Sequence, residues 1–504
     1  MNRRISRLAL VALVLLAAPI VATTYWQTWA SAGLADRQDN EIQRVAQFEI
    51  RRGLIYAADR KTVLAANVAR EVGGKTLYFR VYPTHGFASQ AIGYSTQSRS
   101  RAGLEREENA YLTASNKNLG TIVDRIGDRL QGKPIRGNSL VLNLKPHAQR
   151  LAESLLRGKC GAAVVLNPKT GAVYVMASSP TFDPNLIEKP SGYAQIQATK
   201  APCTPSAPLL NRATQGLYPP GSTFKIVTAS AALESGKFEP DSSFYDPGYC
   251  EVYGKPVYNA GNADQDGPEA FGNVDLVTAF EHSINAVFCE IGKKLGAGAV
   301  LDQAKKFGFY SVPPLETPSD TRSASGLYRH GTRSLFDPKD PATEVDPGRL
   351  AFGQERLLVT PLQMAMVAAG IANGGTVMKP RVVKEVRSPG GSVVARFRPQ
   401  KLSQAVKPAT ARAVRDMMVA AVESGTGTAA QIPGVAVAGK TGTAETGKAN
   451  VYHAWFLFFA PADDPVLAGA VVVESQENGF GGTISAPIAK ELMQALLPPP
   501  SNAD

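Results

Sequence analysis

Three short groups of residues in this sequence carry side chains suited to making and breaking acyl bonds. The first is Ser222 with Lys225, in LYPPGSTFKIVTASAALESG (217–236). Pro219-Pro220-Gly221 breaks the chain and a helical pattern begins at Ser222. The hydroxyl is thereby placed at a helix amino terminus, where free N–H groups and the dipole favour developing negative charge. Lys225 follows one turn later on the same face, within reach of that hydroxyl. Serine becomes a nucleophile only when a base takes its proton. Lysine serves as that base only if burial and a second cation bring its pKa down from the usual ~10.4 toward neutrality. The second group is Ser283-Ile284-Asn285, within VDLVTAFEHSINAVFCEIG (274–292). Apolar periodicity predicts one buried helix there, whose start presents Ser283 and Asn285 to a cleft. A second hydroxyl suits proton relay, and an Asn amide suits gripping a substrate amide.

The third group is Lys440-Thr441-Gly442-Thr443, on the apolar strand VAVAGKTGTAE (435–445). Alternation sends Lys440 and Gly442 one way, and Thr441 and Thr443 the other. Glycine in a strand admits a second backbone closely, so an extended peptide can add to this strand. Lys440 then supplies charge, the threonine hydroxyls bind a carboxylate, and Lys440 is the second cation that Lys225 needs. Taken singly, each group has an ordinary reading: an N-cap serine with a solvated lysine, or two polar residues on a helix surface. Their conjunction carries the weight, and Ser222 to Lys225 is the sole S-x-x-K in the chain. Two other matches carry no chemistry. Lys169-Thr170-Gly171 is a hairpin turn ahead of Ser222. GVAVAGKT (434–441) fits a phosphate-loop pattern letter for letter, but its residues form a strand and GTAETG opens no helix.

Positioning these groups requires a sheet with helices on its faces. GAAVVLN (161–167) and AVYVMAS (172–178) read as a β-hairpin, preceded by the amphipathic helix KPHAQRLAESLLRG. Helices are expected to dominate from Ser222 to about Leu295, and another runs from about Pro361 to Asn373. Strands return at 435–445, 453–461 (HAWFLFFAP) and 466–474 (VLAGAVVVE), before a last helix from about Ser485 to Leu496. Two early strands and three late ones predict an α/β (α+β) fold in which both ends of a domain close one five-stranded antiparallel sheet. The domain is expected over 146–496, with a smaller pedestal at 33–145 and a tail at 497–504.

The amino end sets the compartment. Arg3, Arg4 and Arg7 precede an uncharged apolar run from Leu8 to Trp26, long enough to span a bilayer. Basic residues before it and a mixed-charge flank after it (Asp36, Arg37, Asp39, Glu41) predict residues 1–7 in the cytoplasm, an anchor at 8–26 and the rest outside. The alternative is a cleaved signal peptide, since Ala30-Ser31-Ala32 resembles a peptidase site. The net charge of +11 suits anionic headgroups or an acidic wall polymer. No Lys/Arg run interleaved with aromatics points to nucleic acid. The five histidines and four cysteines lack metal-ligand spacing, so no metal is expected. Outside the cytoplasm cysteines can pair; Cys203 and Cys250, in loop-like sequence, are the better candidates, and Cys289 reads as a buried thiol. The partner of each, Cys160 included, is open.

The three groups, in this order and on these elements, resemble the active-site serine penicillin-binding proteins and β-lactamases, a motif set already established for that family. The gap from Ser283 to Lys440 is too long for the smaller oxacillinase-type enzymes. RGLIYAADR, AGLE (102–105), PTFDPN (180–185), LYPPGSTFK, TPLQMA (360–365) and AGKTGTAE together resemble a monofunctional class B penicillin-binding protein of the actinobacterial type. The resemblance implies a serine β-lactamase/transpeptidase-like fold and a D,D-transpeptidase acting on peptidoglycan stem peptides through a Ser222 acyl-enzyme, with β-lactams as mimics. It implies Lys225 as general base, Ser283 and Asn285 as proton relay and substrate grip, and Lys440 as a further catalytic residue. Thr441, Gly442 and Thr443 would bind substrate, and the N–H groups of Ser222 and Thr443 would form an oxyanion hole. No cofactor is implied; partners would be a membrane-embedded glycan polymerase and division or elongation proteins. The pedestal is short for this class and too short for a glycosyltransferase. The same fold also carries β-lactam hydrolases, D,D-carboxypeptidases and β-lactam sensors, which differ in the fate of the acyl-enzyme. A non-catalytic wall scaffold would instead be indifferent to Ser222→Ala.

Overall fold

The computed structural model describes residues 2–25, 47–259, 269–329, 331–332 and 334–498. The end of the apolar run at Trp26, the charged flank, Ala30-Ser31-Ala32 and the tail from residue 499 lie outside the described residues. Helix α1 (Asn2–Tyr25) contains the predicted run; Ser6–Tyr25, 20 residues of mean hydropathy 2.3, is long and apolar enough to cross a bilayer. Near its end two threonine hydroxyls bond back to the helix, as Thr24 Oγ1 donates to Ile20 O at 2.7 Å and Thr23 Oγ1 to Pro19 O at 2.6 Å.

Residues 47–145 supply strands β1 (Ile55–Tyr56), β2 (Val63–Val72), β3 (Lys75–Val81) and β4 (Ser139–Leu142), and helix α2 (Leu119–Leu130). The RGLIYAADR and AGLE segments meet here. Arg52 Nη2 reaches Glu105 Oε2 at 2.9 Å and Arg80 Nε reaches Glu105 Oε1, all three side chains being buried. Burial alone would raise the Glu105 pKa, but the two guanidiniums hold it below the ordinary carboxylate value. This region does not close its own sheet. Strands β7 (Val383–Arg387) and β8 (Val393–Arg396) complete it in the order β8-β7-β4-β1-β2-β3. Main-chain pairing of β7 with β4 therefore crosses the boundary expected at 145.

The larger sheet is built as the alternation requires. Strands β5 (Gly161–Leu166), β6 (Val173–Ser179), β9 (Ala438–Glu445), β10 (Val451–Ala460) and β11 (Leu467–Glu477) pair antiparallel in the order β9-β10-β11-β5-β6. Ala162, Val164, Leu457 and Phe459 point into one core, shared with Met364 and Ala365 of helix α7 (Pro361–Ala372). Ala163, Val165, Phe456 and Phe458 point into the other, formed with α3 (Pro146–Leu155) and α9 (Gly481–Leu496). Both faces are dry, so β10 is an unbroken apolar run.

Three expectations are corrected. The stretch from Ser222 to Leu295 also contains strands at Ser243–Asp246, Tyr249–Val252, Lys255–Tyr258 and Gly272–Asp275. Residues 274–292 form two helices, α5 (Leu276–Glu281) and α6 (Asn285–Leu295), because Ser283 adopts a left-handed φ of 60° and breaks the run between them. Cys289 is not a thiol: it bridges Cys250, as Cys160 bridges Cys203. Helical periodicity marks Cys289 as buried, but burial does not reveal that α6 lies against the Cys250 strand. Removing a ring from the doubly buried β10 tests the packing. Phe458→Ala should cost about 3–5 kcal/mol, read as a lowered midpoint in chemical unfolding.

Candidate active site

Ser222 lies in a 3₁₀ turn, Gly221–Phe224, and the α-helix proper, α4 (Lys225–Glu234), starts three residues later than its hydroxyl. Two glycines let this turn lie flat on β9. Gly221 has φ 52°, and a Cβ there would come within 2.9 Å of Thr443 O. A Cβ on Gly442 would meet Thr223 Cγ2 at 2.7 Å and Pro220 O at 2.9 Å. The turn is then tied down on every side. Trp455 Nε1 donates to Pro219 O at 3.0 Å, Gly221 N to Gly353 O at 3.0 Å, and Thr223 Oγ1 to Pro220 O at 2.8 Å. Just before it, Glu474 Oε1 accepts from Tyr218 Oη at 2.6 Å and from Arg212 Nε at 2.7 Å.

Lys225 is fully buried. Its Nζ donates to Ser283 O at 2.6 Å and to Asn285 Oδ1 at 2.8 Å, and lies 3.3 Å from Ser283 Oγ. Ser222 Oγ is not among its hydrogen-bond partners, although the one-turn spacing predicts reach. The break at Ser283 supplies the reason: its left-handed backbone brings a carbonyl and a hydroxyl to one amine, and these oxygens take the protons first. Asn285 is oriented by a second bond, from Nδ2 to Tyr258 O at 3.0 Å.

Lys440 is also fully buried, on the face of β9 shared with Gly442. Its Nζ lies 5.5 Å from the centre of the Phe280 ring, while that of Lys225 lies 5.1 Å from Phe288. Among the described residues no carboxylate acts on either amine. Burial, and then the charge of Lys440, pushes Lys225 well below the ordinary amine range, and burial brings Lys440 to about 7. Thr441 lies on the opposite face of β9, its Oγ1 2.6 Å from Thr426 Oγ1, and Thr443 Oγ1 accepts from Gly481 N at 3.5 Å. Among the described residues β9 pairs with β10 alone, which leaves its outer edge without a strand partner.

Lys225, Ser283 and Asn285 thus meet directly and Lys440 acts on Lys225, while Ser222 lies one turn before Lys225, Gly442 shares the Lys440 face of β9, and Thr441 and Thr443 lie on the other. Motif reading misses the frame: Arg212, Tyr218, Glu474, Trp455, Phe280 and Phe288. The pairing of Gly442 with Trp455 is a register fact that emerges only when β9 meets β10. Cys160, Cys203 and Glu474 also cluster, but both sulfurs are held in the disulfide and offer no thiolate.

The penicillin binding protein transpeptidase domain matches residues 161–494, and the penicillin binding protein A dimerisation domain matches residues 52–140. The chain belongs to the penicillin-binding protein transpeptidase family. It is 34% identical to the peptidoglycan D,D-transpeptidase PbpA of Mycolicibacterium smegmatis, over 99% of each chain. It is 32% identical to PbpA of Mycobacterium tuberculosis, again over 99% of each. The solved imipenem acyl-enzyme complex of penicillin-binding protein A from M. tuberculosis superposes with a TM-score of 0.76 at 31% identity, covering 90% of this chain and 99% of that one. Membership of this penicillin-binding family, with the two buried lysines, generates a pH prediction. Lys440 depresses Lys225, so removing its charge by Lys440→Met raises the pKa of Lys225. The acid limb of the acylation rate should then move to higher pH, as read from nitrocefin acylation across a pH series.

Proposed function

We propose that this protein is a peptidoglycan D,D-transpeptidase anchored by α1, with its catalytic domain outside the cytoplasm, and that β-lactams inhibit it by acylating Ser222. The observation that carries this reading is a buried lysine with no carboxylate partner among the described residues, one turn from Ser222 and bonded to Ser283 and Asn285. A structural lysine would be paired or solvated. An amine kept neutral in a dry cleft is a base.

Ser222 Oγ attacks the carbonyl carbon of the penultimate D-alanine while Lys225 takes its proton. The N–H groups of Ser222 and Thr443 receive the oxyanion, an effect typically worth about 3–4 kcal/mol of barrier per donor. The C–N bond then breaks, and the proton passes through Ser283 to the departing D-alanine amine. Asn285 grips the donor backbone, Lys440 and the hydroxyls of Thr441 and Thr443 hold the terminal carboxylate, and Gly442 admits the peptide along β9. A second stem-peptide amine attacks the ester, the new C–N bond forms as C–O breaks, and the proton returns to Ser222. In a β-lactam the leaving amine stays tethered, so the acyl-enzyme persists.

Residues 1–7 would lie in the cytoplasm, 8–26 in the bilayer, and 33–145 would form the pedestal below a transpeptidase domain at 146–496. The family resemblance supports docking of the pedestal on a membrane-embedded glycan polymerase with division or elongation proteins. Intact-mass measurement with benzylpenicillin tests the chemistry. The wild type should gain one stable penicilloyl adduct and Ser222→Ala none. Adducts on both proteins, or rapid turnover on the wild type, contradict the reading.

A further inference from the structure

Helix α2 carries its apolar side chains outward. Leu119, Val123, Ile126 and Leu130 recur at i, i+4, i+7 and i+11, which at about 100° per residue stacks them in one stripe. Their exposures are 75, 59, 50 and 83%. The opposite face is polar and buried. Thr121 Oγ1 accepts from Asn138 Nδ2 at 2.9 Å, and Asp128 Oδ1 accepts from Arg136 Nη2 at 2.8 Å. The helix is therefore fastened to the body by polar contacts, and the described residues offer its apolar stripe no cover. Arg129 borders the stripe on one side, Arg125 and Asp124 lie farther round toward the polar face, and Lys117 and Lys133 lie beyond its ends.

Arg136 leads from this helix to a cavity of about 410 Å³, which Arg51, Arg60 and Arg387 also line. The acids facing these groups are Glu385, Asp128 and, at longer range from Arg136, Asp124. Glu385 takes Arg60 at 2.9 Å and Arg387 at 2.7 Å, with Arg396 at 3.9 Å, and Asp128 takes Arg136. Besides Arg52, which also lines the cavity and is held by Glu105, five guanidiniums thus share three carboxylates, and the surplus is positive. An apolar helical stripe bordered by basic residues is the composition of a helix lying in a membrane interface, and surplus guanidinium matches phosphate.

We propose that α2 and the arginine cavity lie together on the outer face of the bilayer that holds α1. The stripe enters the acyl boundary while Arg51, Arg60, Arg136 and Arg387 receive the phosphates of anionic lipids. This rests on the anchor reading above. The chain from Tyr25 to Arg51 confines the cavity to within roughly 90 Å of the end of α1.

Spin labelling of the full chain in vesicles tests it. All four native cysteines are bridged, so a nitroxide on Ile126→Cys labels one site, with Lys448→Cys as an aqueous reference. In phosphatidylglycerol/phosphatidylcholine vesicles, the label at 126 should be relaxed several-fold more by oxygen, relative to a nickel chelate, than the label at 448. Adding Leu119→Ser with Leu130→Ser should abolish that difference. Arg51→Gln with Arg387→Gln should reduce the immersed fraction several-fold at low salt. An aqueous label at 126 on protein that floats with vesicles overturns the proposal and points to a protein partner. Protein that fails to float contradicts the anchor reading, and this inference falls with it.

Discussion

Two buried lysines that face no carboxylate among the described residues govern this structure. A charged amine in a dry interior is costly unless paired; Lys225 and Lys440 are both fully buried, and the charge that acts on Lys225 is that of Lys440. Loss of a proton relieves that cost, and the neutral amine is what serine chemistry requires. In both lysines the folded-state pKa is depressed, so between the ordinary amine range and the lowered folded value the unfolded chain binds more protons, and stability falls as pH drops through that window, down to about 7 for Lys440.

Much of the surrounding fold serves to hold that pair in place. The doubly covered sheet fixes β9, and with it Lys440. Gly221 and Gly442 let the Ser222 turn rest against β9 without a Cβ between them. The Tyr218, Arg212 and Glu474 cluster anchors the entry to the turn, and Trp455 holds Pro219. The Cys250–Cys289 bridge ties α6, which begins at Asn285, to the strand whose hairpin places Tyr258 O against the Asn285 amide.

The sheet, and the motif residues that meet around Lys225, were legible because local patterns encode them. Alternation in 161–178 and 438–477 specifies strands and faces, and S-x-x-K, S-x-N and K-T-G-T mark reacting groups by type. What was not legible depends on long-range contact. The break at Ser283 hides in an apolar run that reads as one helix. The recruitment of 383–396 to the N-terminal sheet joins residues far apart in the chain. The pairing of Cys289 and the choice of Ser283 O over Ser222 Oγ as partner of Lys225 are likewise products of tertiary packing.

The most direct measurement is the titration of Lys225 itself, by carbon-13 NMR of protein labelled at lysine Cε and assigned against Lys225→Met. A resonance that reports a neutral amine well below the ordinary lysine range agrees with this account. A resonance that stays protonated up to the range of solvent-exposed lysines contradicts it, since Ser222 would then have no base.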